Sequence, residues 1–265
     1  MASVNLVVEA GNLTKDPELR YTREGTAVAS FTLAVSRRGS EKTDYFSVTC
    51  WRGLAESVAE YLKKGSAAIV SGELHQQSWE GEDGQNKTRH VIQASSVQFV
   101  DSAGQGMNRA IFAGNITRDP EIKHVVTADG EEIAVTSFGL AVNRTRGKAA
   151  QEGVADFIEV ACWRELGEMI AEYKHKGDGV LVEGSLRYDR WENGEGQVRS
   201  RITLTADSVQ FTTMPEESYG EEDLDDEDFE DVVVDEPPKA PARKGRTKQA
   251  PAASRGRSRR GRVAA

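Results

Sequence analysis

The stretch Asp44–Arg52, which reads DYFSVTCWR, decides the fold of this chain. Successive side chains on a strand point to opposite faces of the sheet. The even-numbered residues from Phe46 to Cys50 are apolar, so we interpret their face as the core side. The odd-numbered residues are partly polar but include two large aromatics, Tyr45 and Trp51. Such a face suits the stacking of nucleic-acid bases, although a strand packed on both faces explains one isolated copy equally well.

The same pattern returns as Asp156–Arg164, DFIEVACWR, in which Phe157 and Trp163 occupy the partly polar face. The repetition continues on both sides of this strand. The matching segments are 5–20 with 108–123, 31–35 with 138–142, and 44–99 with 156–211. The extra residues of the second copy fall between these segments, in predicted loops, where insertions are tolerated. The chain therefore carries one domain twice.

Each copy is predicted to contain five strands, with one helix between the third and the fourth. The helix of the first copy is indicated by apolar residues at helical spacing, followed by a Lys-Lys-Gly segment at 63–65 that suits a helix end. These apolar residues are Leu54, Val58, Tyr61 and Leu62, and Leu166, Ile170 and Tyr173 repeat them. This order of elements is typical of the OB-fold, a small Greek-key barrel. We therefore predict an all-β protein of two tandem OB-fold barrels followed by a disordered C-terminal tail.

The predicted domain boundaries follow from the repeat and from the composition. The first barrel takes residues 1–103, the second takes 108–213, and the tail takes 214–265. The linker at 101–107 is short enough to keep the barrels close, and its glycines are expected to leave it flexible. The tail has an acidic run at 216–236 and then a segment rich in Pro, Ala, Gly, Lys and Arg, for which we expect no regular structure.

The composition indicates a cytoplasmic protein without a membrane segment. No stretch approaches the roughly 18 consecutive apolar residues of a membrane span, and the first residues show no signal-peptide pattern. Cys50 and Cys162 are the two cysteines of the chain and take matching core-facing positions, so we expect unpaired core residues in a reducing compartment. With a net charge of −9, any binding to phosphate must depend on local basic patches and on base stacking.

Both copies resemble bacterial single-stranded DNA-binding proteins, the SSB family. The segments that carry the resemblance are Gly11–Leu13, Asp16–Tyr21, Gly25–Ala29, Leu54–Glu56 and Tyr61–Ser66. Each segment is weakly specific, but their order and spacing recur over both copies. The resemblance implies an OB-fold that wraps single-stranded DNA on its aromatic face. It also implies four OB domains per particle, and hence a homodimer of this two-barrel chain, associated with the nucleoid.

The resemblance places the family's stacking aromatics on the outward residues that the alternation selects. They are Tyr45, Trp51 and Trp79 in the first copy and Phe157, Trp163 and Trp191 in the second. Where the family often has a further tryptophan, the chain has arginine-rich segments at 37–39 and 144–146, which we expect to contact phosphate. The basic candidates are Arg37, Arg38, Arg144, Arg146 and Arg187, with Lys87, Arg89, Arg199 and Arg201 as weaker ones. A solvated surface charge explains each of these cations about equally well.

The tail departs from the family pattern, in which an acidic tip with a terminal phenylalanine recruits partner proteins. Here the acidic run lies inside the sequence, and the chain ends in a basic segment. We expect Phe229 to form an internal docking motif for replication and repair proteins, and the basic end to add phosphate contacts. A solvated tail that only aids solubility explains the same composition.

Other function classes find little support in the sequence. The four histidines show no metal-ligand spacing with one another or with the cysteines. The chain contains no phosphate-binding GxxxxGK[ST] segment and no nucleophile elbow. We therefore expect no catalysis, no cofactor and no metal. Two alternatives stay open, namely an OB protein that handles RNA and an OB assembly factor that binds protein.

Overall fold

The first barrel is formed by the first copy of the repeat in a computed structural model that describes residues 3–80, 86–104, 106–127, 130–144, 153–192 and 198–212. Its elements are β1 (Val4–Leu13), β2 (Glu18–Tyr21), β3 (Ala27–Ser36), β4 (Thr43–Trp51), α1 (Gly53–Tyr61), β5 (Ala67–Glu80) and β6 (Asn86–Val100). The repeated motif at 44–52 is strand β4 together with the turn into helix α1.

The second barrel repeats this order. Its elements are β7 (Asn108–Ile116), β8 (Glu121–Val126), β9 (Glu132–Asn143), β10 (Ala155–Trp163), α2 (Glu165–Tyr173), β11 (Gly179–Glu192) and β12 (Val198–Phe211). Strand β10 carries the second copy of the motif.

Five strands close each barrel because the first strand pairs with two others. Strand β1 pairs with β3 at one edge and with β5 at the other, and the remaining pairs β3–β4, β4–β6 and β5–β6 complete the ring. Strand β4 runs parallel to β6, while the other pairs are antiparallel. The second barrel closes in the same way. The structure thus confirms the predicted all-β fold with two OB-type barrels.

The structure adds one short strand to each copy that the sequence did not predict. Strands β2 and β8 pair with β3 and β9 and form the two outer strands of the sheet order. Every side chain of both strands is exposed. Because no residue of these strands faces the core, the alternation that marks the other strands is missing here.

Two glycines allow β5 and β11 to bend where each barrel closes. The register of the β5–β6 pairing shifts by a β-bulge between Ser71 and Gly72, and that of the β11–β12 pairing shifts between Glu183 and Gly184. A Cβ atom at Gly72 would lie 2.2 Å from the carbonyl oxygen of Gln93. The close backbone approach therefore excludes any larger residue at this bulge.

The two barrels share one continuous sheet, because β1 pairs with β7 from Val4–Ala113 to Glu9–Asn108. The connecting segment is also fixed at its end, where the backbone N–H of Ala10 donates to the carbonyl oxygen of Met107 at 2.7 Å. This hydrogen bond holds the end of the linker, and the flexibility of the linker stays a prediction.

The helices cover one end of each barrel but bury fewer residues than the spacing predicted. Helix α1 buries Ala55 and Val58, whereas Tyr61 is 64% exposed and packs beside Phe99. The helix ends at Tyr61 and the backbone at Leu62 is extended. Tyr61 thus belongs to the predicted helix but lies on its exposed side, and the Lys-Lys-Gly segment lies in the following turn rather than at the helix end.

The tail, residues 214–265, lies outside the described residues, and so do Phe229 and the basic end.

Candidate nucleic-acid interface

Strands β4 and β10 bury one face of the repeated motif and expose its aromatics. Residues 46, 48 and 50 are at most 1% exposed, as are 158, 160 and 162. On the other face, Tyr45 and Trp51 are 46% and 41% exposed, and Phe157 and Trp163 are 52% and 43% exposed. The alternation predicted from the sequence is therefore present in both strands.

Strands β5 and β11 contribute one exposed aromatic each, near their ends. Trp79 is 44% exposed and Trp191 is 45% exposed. The four tryptophans of the chain thus all lie at the surface. Their outward positions on corresponding strands of the two barrels make these aromatics the candidates for a binding surface. We call these six side chains the aromatic face: Tyr45, Trp51, Trp79, Phe157, Trp163 and Trp191.

A cleft between the barrels brings aromatics of both copies together. It has a volume of about 530 Å³, and its lining includes Tyr45 from the first barrel with Phe157 and Trp191 from the second. His90 of β6 crosses between the barrels, because its Nε2 lies 2.9 Å from the carbonyl oxygen of Phe157. The two parts of the aromatic face therefore meet across this cleft.

Two arginines lie over the tryptophans of the hairpin strands. The Arg89 guanidinium is 5.6 Å from the centre of the Trp79 ring, and Arg201 is 5.8 Å from that of Trp191. A cation over an aromatic face is attracted by the ring and supplies positive charge beside it. Both were only weak candidates from the sequence, although their matching positions on the last strand, opposite the tryptophan strand, could have indicated them.

Arg37 has a structural role between the barrels. It forms a two-pronged ion pair with Asp44, with distances of 2.8 Å from Nε to Oδ2 and 2.6 Å from Nη2 to Oδ1. The pair holds the backbone of the other barrel, because the N–H of Tyr188 donates to Asp44 Oδ1 at 2.7 Å. Arg37 Nη2 also donates to the carbonyl oxygen of Tyr188, at 3.4 Å.

Arg144 of the second barrel contacts the first barrel in the same way. It pairs with Asp156 at 2.9 Å and 2.6 Å, and it donates to the carbonyl oxygen of Gln76 at 3.0 Å. The N–H of Gln76 donates to Asp156 Oδ1 at 2.7 Å. We call these two arrangements, Arg37–Asp44 and Arg144–Asp156, the inter-barrel clasps. Their arginines use their guanidinium groups to join the barrels, so a contact with phosphate stays a prediction for both.

Both clasp carboxylates are fully buried, and His75 adds a further contact to Asp156 at 2.9 Å. Burial alone raises the pKa of Asp156, but hydrogen bonds from His75, Arg144 and the Gln76 N–H outweigh it and hold that pKa at about 2. The hydrogen bonds with the carboxylates raise the pKa of Arg37 and of Arg144. The Arg144–Asp156 clasp is therefore fully charged near neutral pH.

The chain also matches a known family at the level of sequence. The sequence profile of the single-strand binding protein family matches residues 4–100 and 107–212. The chain belongs to this family. The resemblance predicted from the sequence is confirmed, and the two matched regions correspond to the two barrels.

Curated family members match one or both barrels. A single-stranded DNA-binding protein from Deinococcus radiodurans is 33% identical over 231 residues, which cover 78% of this chain and 75% of that protein. Single-stranded DNA-binding protein A from Bacillus subtilis is 47% identical over 108 residues, or 39% of this chain and 63% of that protein. Among solved structures, the wild-type single-stranded DNA-binding protein from Thermus aquaticus is 30% identical with a TM-score of 0.64. That comparison covers 83% of this chain and 98% of the Thermus chain.

The other predicted basic residues of this family member lie in different environments. Arg187 is half-buried, with Nη1 3.6 Å from Asp44 Oδ2, so it supports the first clasp. Arg38 is exposed in the turn after β3. Arg146 and the side chains of Lys87 and Arg199 lie outside the described residues.

A buried carboxylic acid that the sequence pattern did not predict, Glu9, lies beside the first clasp. Glu9 is 0% exposed, and neither of its carboxyl oxygens has a hydrogen-bond partner within the described part of the chain. Burial, together with the nearby charge of Asp44, raises the pKa of Glu9 well above its usual range, and Arg187 opposes this only in part. The corresponding residue of the second barrel is Phe112, which is fully buried. Glu9 therefore occupies a core position as a neutral acid.

The cysteines are unpaired and buried, as predicted. Burial raises the pKa of Cys50 to about 11 and that of Cys162 to about 12, so both stay protonated thiols. Among the described residues, no group of three or more side chains could hold a metal ion. In the same residues, no helix is long and apolar enough to cross a membrane.

Proposed function

We propose that this protein binds single-stranded DNA without sequence preference, by stacking bases on the aromatic face and by contacting phosphates with nearby arginines. Stacking on an aromatic ring is worth about 1–3 kcal/mol per base and tolerates every base, since each base has a π-face. Membership of the single-strand binding protein family supports this function, and so do the names of the relatives from Deinococcus and Bacillus.

One observation carries the proposal, namely the cleft in which Tyr45, Phe157 and Trp191 meet. A strand rises about 3.3 Å per residue, so Tyr45 and Trp51 lie about 20 Å apart along β4. A single DNA strand can therefore run along the face of one barrel and continue through the cleft onto the other. Arg89 and Arg201 are placed beside this path for phosphate contacts, and Arg38 and Arg146 are further candidates.

In the cell, we propose that the protein coats and protects single-stranded DNA during replication, recombination and repair. This role needs binding rather than catalysis, and it needs no cofactor. It is a role in the cytoplasm, at the nucleoid. The buried, protonated cysteines support the absence of a reactive nucleophile.

For the assembly, we propose a homodimer with four barrels. A two-barrel chain that pairs symmetrically reaches the number of OB domains implied by the family resemblance. Light scattering should then give about twice the chain mass of 29.0 kDa. A monomer at micromolar concentration would contradict the dimer.

We also propose that replication and repair proteins dock on the acidic run of the tail around Phe229. Its composition of apolar residues among carboxylates supports this role. Pull-down of a helicase or polymerase accessory protein with wild type and with Phe229→Ala tests it. Equal recovery with both would remove the docking role.

The test of the main function is a titration of intrinsic fluorescence with poly(dT). All four tryptophans belong to the aromatic face, so their quenching reports directly on its occupation. We expect saturable quenching that persists in part at moderate salt, since stacking is not screened as phosphate contacts are. If poly(dT) neither quenches the fluorescence nor comigrates with the protein, the function is wrong. Competition with an RNA oligomer of equal length separates DNA binding from the alternative of RNA binding.

A further inference from the structure

The two barrels differ in the middle of their aromatic faces. Ser47 of β4 and Glu159 of β10 are corresponding residues, and each lies between the two outward aromatics of its own strand. Ser47 is exposed, whereas Glu159 accepts a hydrogen bond from Arg118 with Nη2 and Oε1 at 2.5 Å. The second barrel therefore places an ion pair where the first places a small hydroxyl group.

A glycine in the neighbouring strand makes room for this ion pair. Gly139 lies directly opposite Glu159, and Thr32 lies directly opposite Ser47 in the first barrel. A Cβ atom at Gly139 would come within 2.8 Å of Arg118 Nη1. Because a side chain here would collide with the guanidinium, Gly139 lets Arg118 lie across β9 to reach Glu159.

The first barrel leaves the same region open. Lys15, which corresponds to Arg118, pairs with Glu18 at 2.5 Å instead of with a residue of β4. A surface pocket of about 280 Å³ lies beside Ser47. Its lining includes Lys15, Glu18, Arg20, Ser47, Thr49 and Arg89. Three cations and one carboxylate line this pocket: Glu18 binds Lys15 and Arg20, at 2.5 Å and 3.2 Å, and Arg89 has no ion pair among the described residues.

The barrels also differ in an ion pair beside Trp163, the tryptophan at the end of strand β10. Arg164 follows Trp163 and pairs with Glu131 of the β8–β9 hairpin at 2.8 Å and 3.2 Å. The depression beside Trp163 is lined by three further carboxylates, those of Glu132, Glu165 and Glu168. Arg52, which follows Trp51, has no ion pair among the residues that the structure describes. The shorter β2–β3 hairpin of the first barrel ends before it reaches the position of Glu131.

We propose that Glu159 and Glu131 mask the cations of the second barrel, so that the first barrel is the stronger binding surface for the phosphates of single-stranded DNA. This inference rests on the proposed function. A phosphate that approaches Arg118 or Arg164 must displace a carboxylate that is already bound, whereas Arg52 and Arg89 of the first barrel have no ion pair to exchange among the described residues. Of the two carboxylates, Glu159 should weaken phosphate binding to the second barrel more, because it lies on the proposed path of the DNA between Phe157 and Trp163.

The tryptophans allow each barrel to be observed separately. In full-length protein with Trp51→Phe and Trp79→Phe, quenching by poly(dT) reports on the second barrel through Trp163 and Trp191. In the complementary variant, with Trp163→Phe and Trp191→Phe, it reports on the first barrel. With Glu159 and Glu131 unchanged, we expect the variant that reports on the second barrel to need several times more poly(dT) for half-quenching at low salt than the variant that reports on the first.

The deciding variant is Glu159→Ser in the background that reports on the second barrel. We expect about three- to fivefold tighter binding at low salt, as for the release of one exposed ion pair. The log–log salt slope should steepen by about 0.7 for one more neutralised phosphate. The matched exchange, Ser47→Glu in the other background, should weaken binding to the first barrel by a similar factor.

Glu159→Gln separates charge from size, because it removes the charge and keeps the shape. It should also tighten binding of DNA to the second barrel. If Glu159→Ser lowers the melting temperature, Glu159→Gln is the variant that tests the masking. If DNA binds but both variants bind it no more tightly than the background protein that keeps Glu159, the masking is wrong and the proposed function survives. A gain with Glu159→Ser but none with Glu159→Gln would also overturn it, since steric access would then be responsible. Absence of quenching in the wild type would overturn the function and the inference together.

Discussion

The two barrels of this protein share one backbone plan but differ in the charges on their outward faces. The positions that join the barrels are closely matched, since Asp44 and Asp156 each hold an arginine of their own barrel and a backbone segment of the other. The exposed charges are matched less closely, since Ser47 corresponds to Glu159. The docking of two copies fixes the residues of the clasps, whereas the fold does not fix every charge on the proposed DNA-binding surface.

The largest expected effect comes from breaking one clasp. Asp156→Asn should lower the free energy of unfolding by about 3 kcal/mol, because it leaves the partly buried Arg144 without a charged partner. Urea denaturation measures this loss, and the exposed Asp207→Asn serves as the matched control. Asp44→Asn should lower the free energy of unfolding by a similar amount. A loss at only one of the two sites would contradict equivalent roles for the two clasps.

The clasp also makes a prediction for pH. The pKa of Asp156 is held at about 2 in the folded protein, below its ordinary value of 3.8. The stability that this carboxylate contributes is therefore fully present above pH 3.8 and lost as the pH falls through about 2. The difference in unfolding free energy between wild type and Asp156→Asn should shrink over this window. A difference that stays constant down to pH 2 would contradict the assigned hydrogen bonds.

Replacing Trp51 or Trp163, which end strands β4 and β10, should weaken DNA binding by about 1–3 kcal/mol for each stacked base. We expect Trp51→Ala to cost more than Trp163→Ala, because the neighbouring Arg52 is not paired with any carboxylate that the structure describes. Anisotropy of a labelled dT oligomer measures the affinity, and Tyr61→Ala on helix α1 is the matched control. If the melting temperature falls while the affinity of the folded fraction holds, these tryptophans are core residues.

The sequence predicted the aromatic face better than the basic residues around it, for a physical reason. A strand has a side-chain period of two, so the burial of Phe46 and Cys50 settles the outward direction of Tyr45 and Trp51. The direction of Arg37 depends instead on the docking of the other barrel against the turn after β3. No local pattern encodes that docking.

Two further features escaped the sequence for related reasons. Strand β2 exposes every side chain, so it carries no alternation to recognise. Glu9 is fully buried, although glutamate is a residue type that is expected at the surface. Tyr61 is exposed and Leu62 is buried, because helical spacing alone does not tell which apolar residue of the last turn reaches the core.

Replacing the buried acid should stabilise the first barrel by about 1–3 kcal/mol at neutral pH. Glu9→Met keeps the length of the side chain and removes two unpartnered polar atoms. Since the pKa of Glu9 is raised on folding, wild-type stability should fall as the pH rises above 4.5, and the variant should lack this fall. Thermal melts between pH 4 and 8 measure both effects. A wild-type profile that rises over this range would contradict a neutral Glu9.

The smallest expected effect concerns the backbone before each helix. Arg52 and Arg164 have φ values of 58° and 57°, a region that glycine occupies at lower cost. Arg52→Gly should raise the free energy of unfolding by about 1 kcal/mol. Arg164→Gly should gain less, because it also loses the ion pair with Glu131. Chemical denaturation of both variants measures the difference, and a larger gain at Arg164 would contradict the role of that pair.

The central claim is that one DNA strand contacts the aromatic faces of both barrels. Ultraviolet cross-linking of a dT oligomer to the full chain, followed by mapping of the modified peptides, tests it most directly. We predict cross-links in both barrels, with Tyr45, Phe157 and Trp191 modified together because they line one cleft. The exposed Tyr61, Phe99 and Tyr173 provide the internal comparison, since they lie outside the aromatic face. Cross-links confined to those three residues, with none on the aromatic face, would contradict the claim.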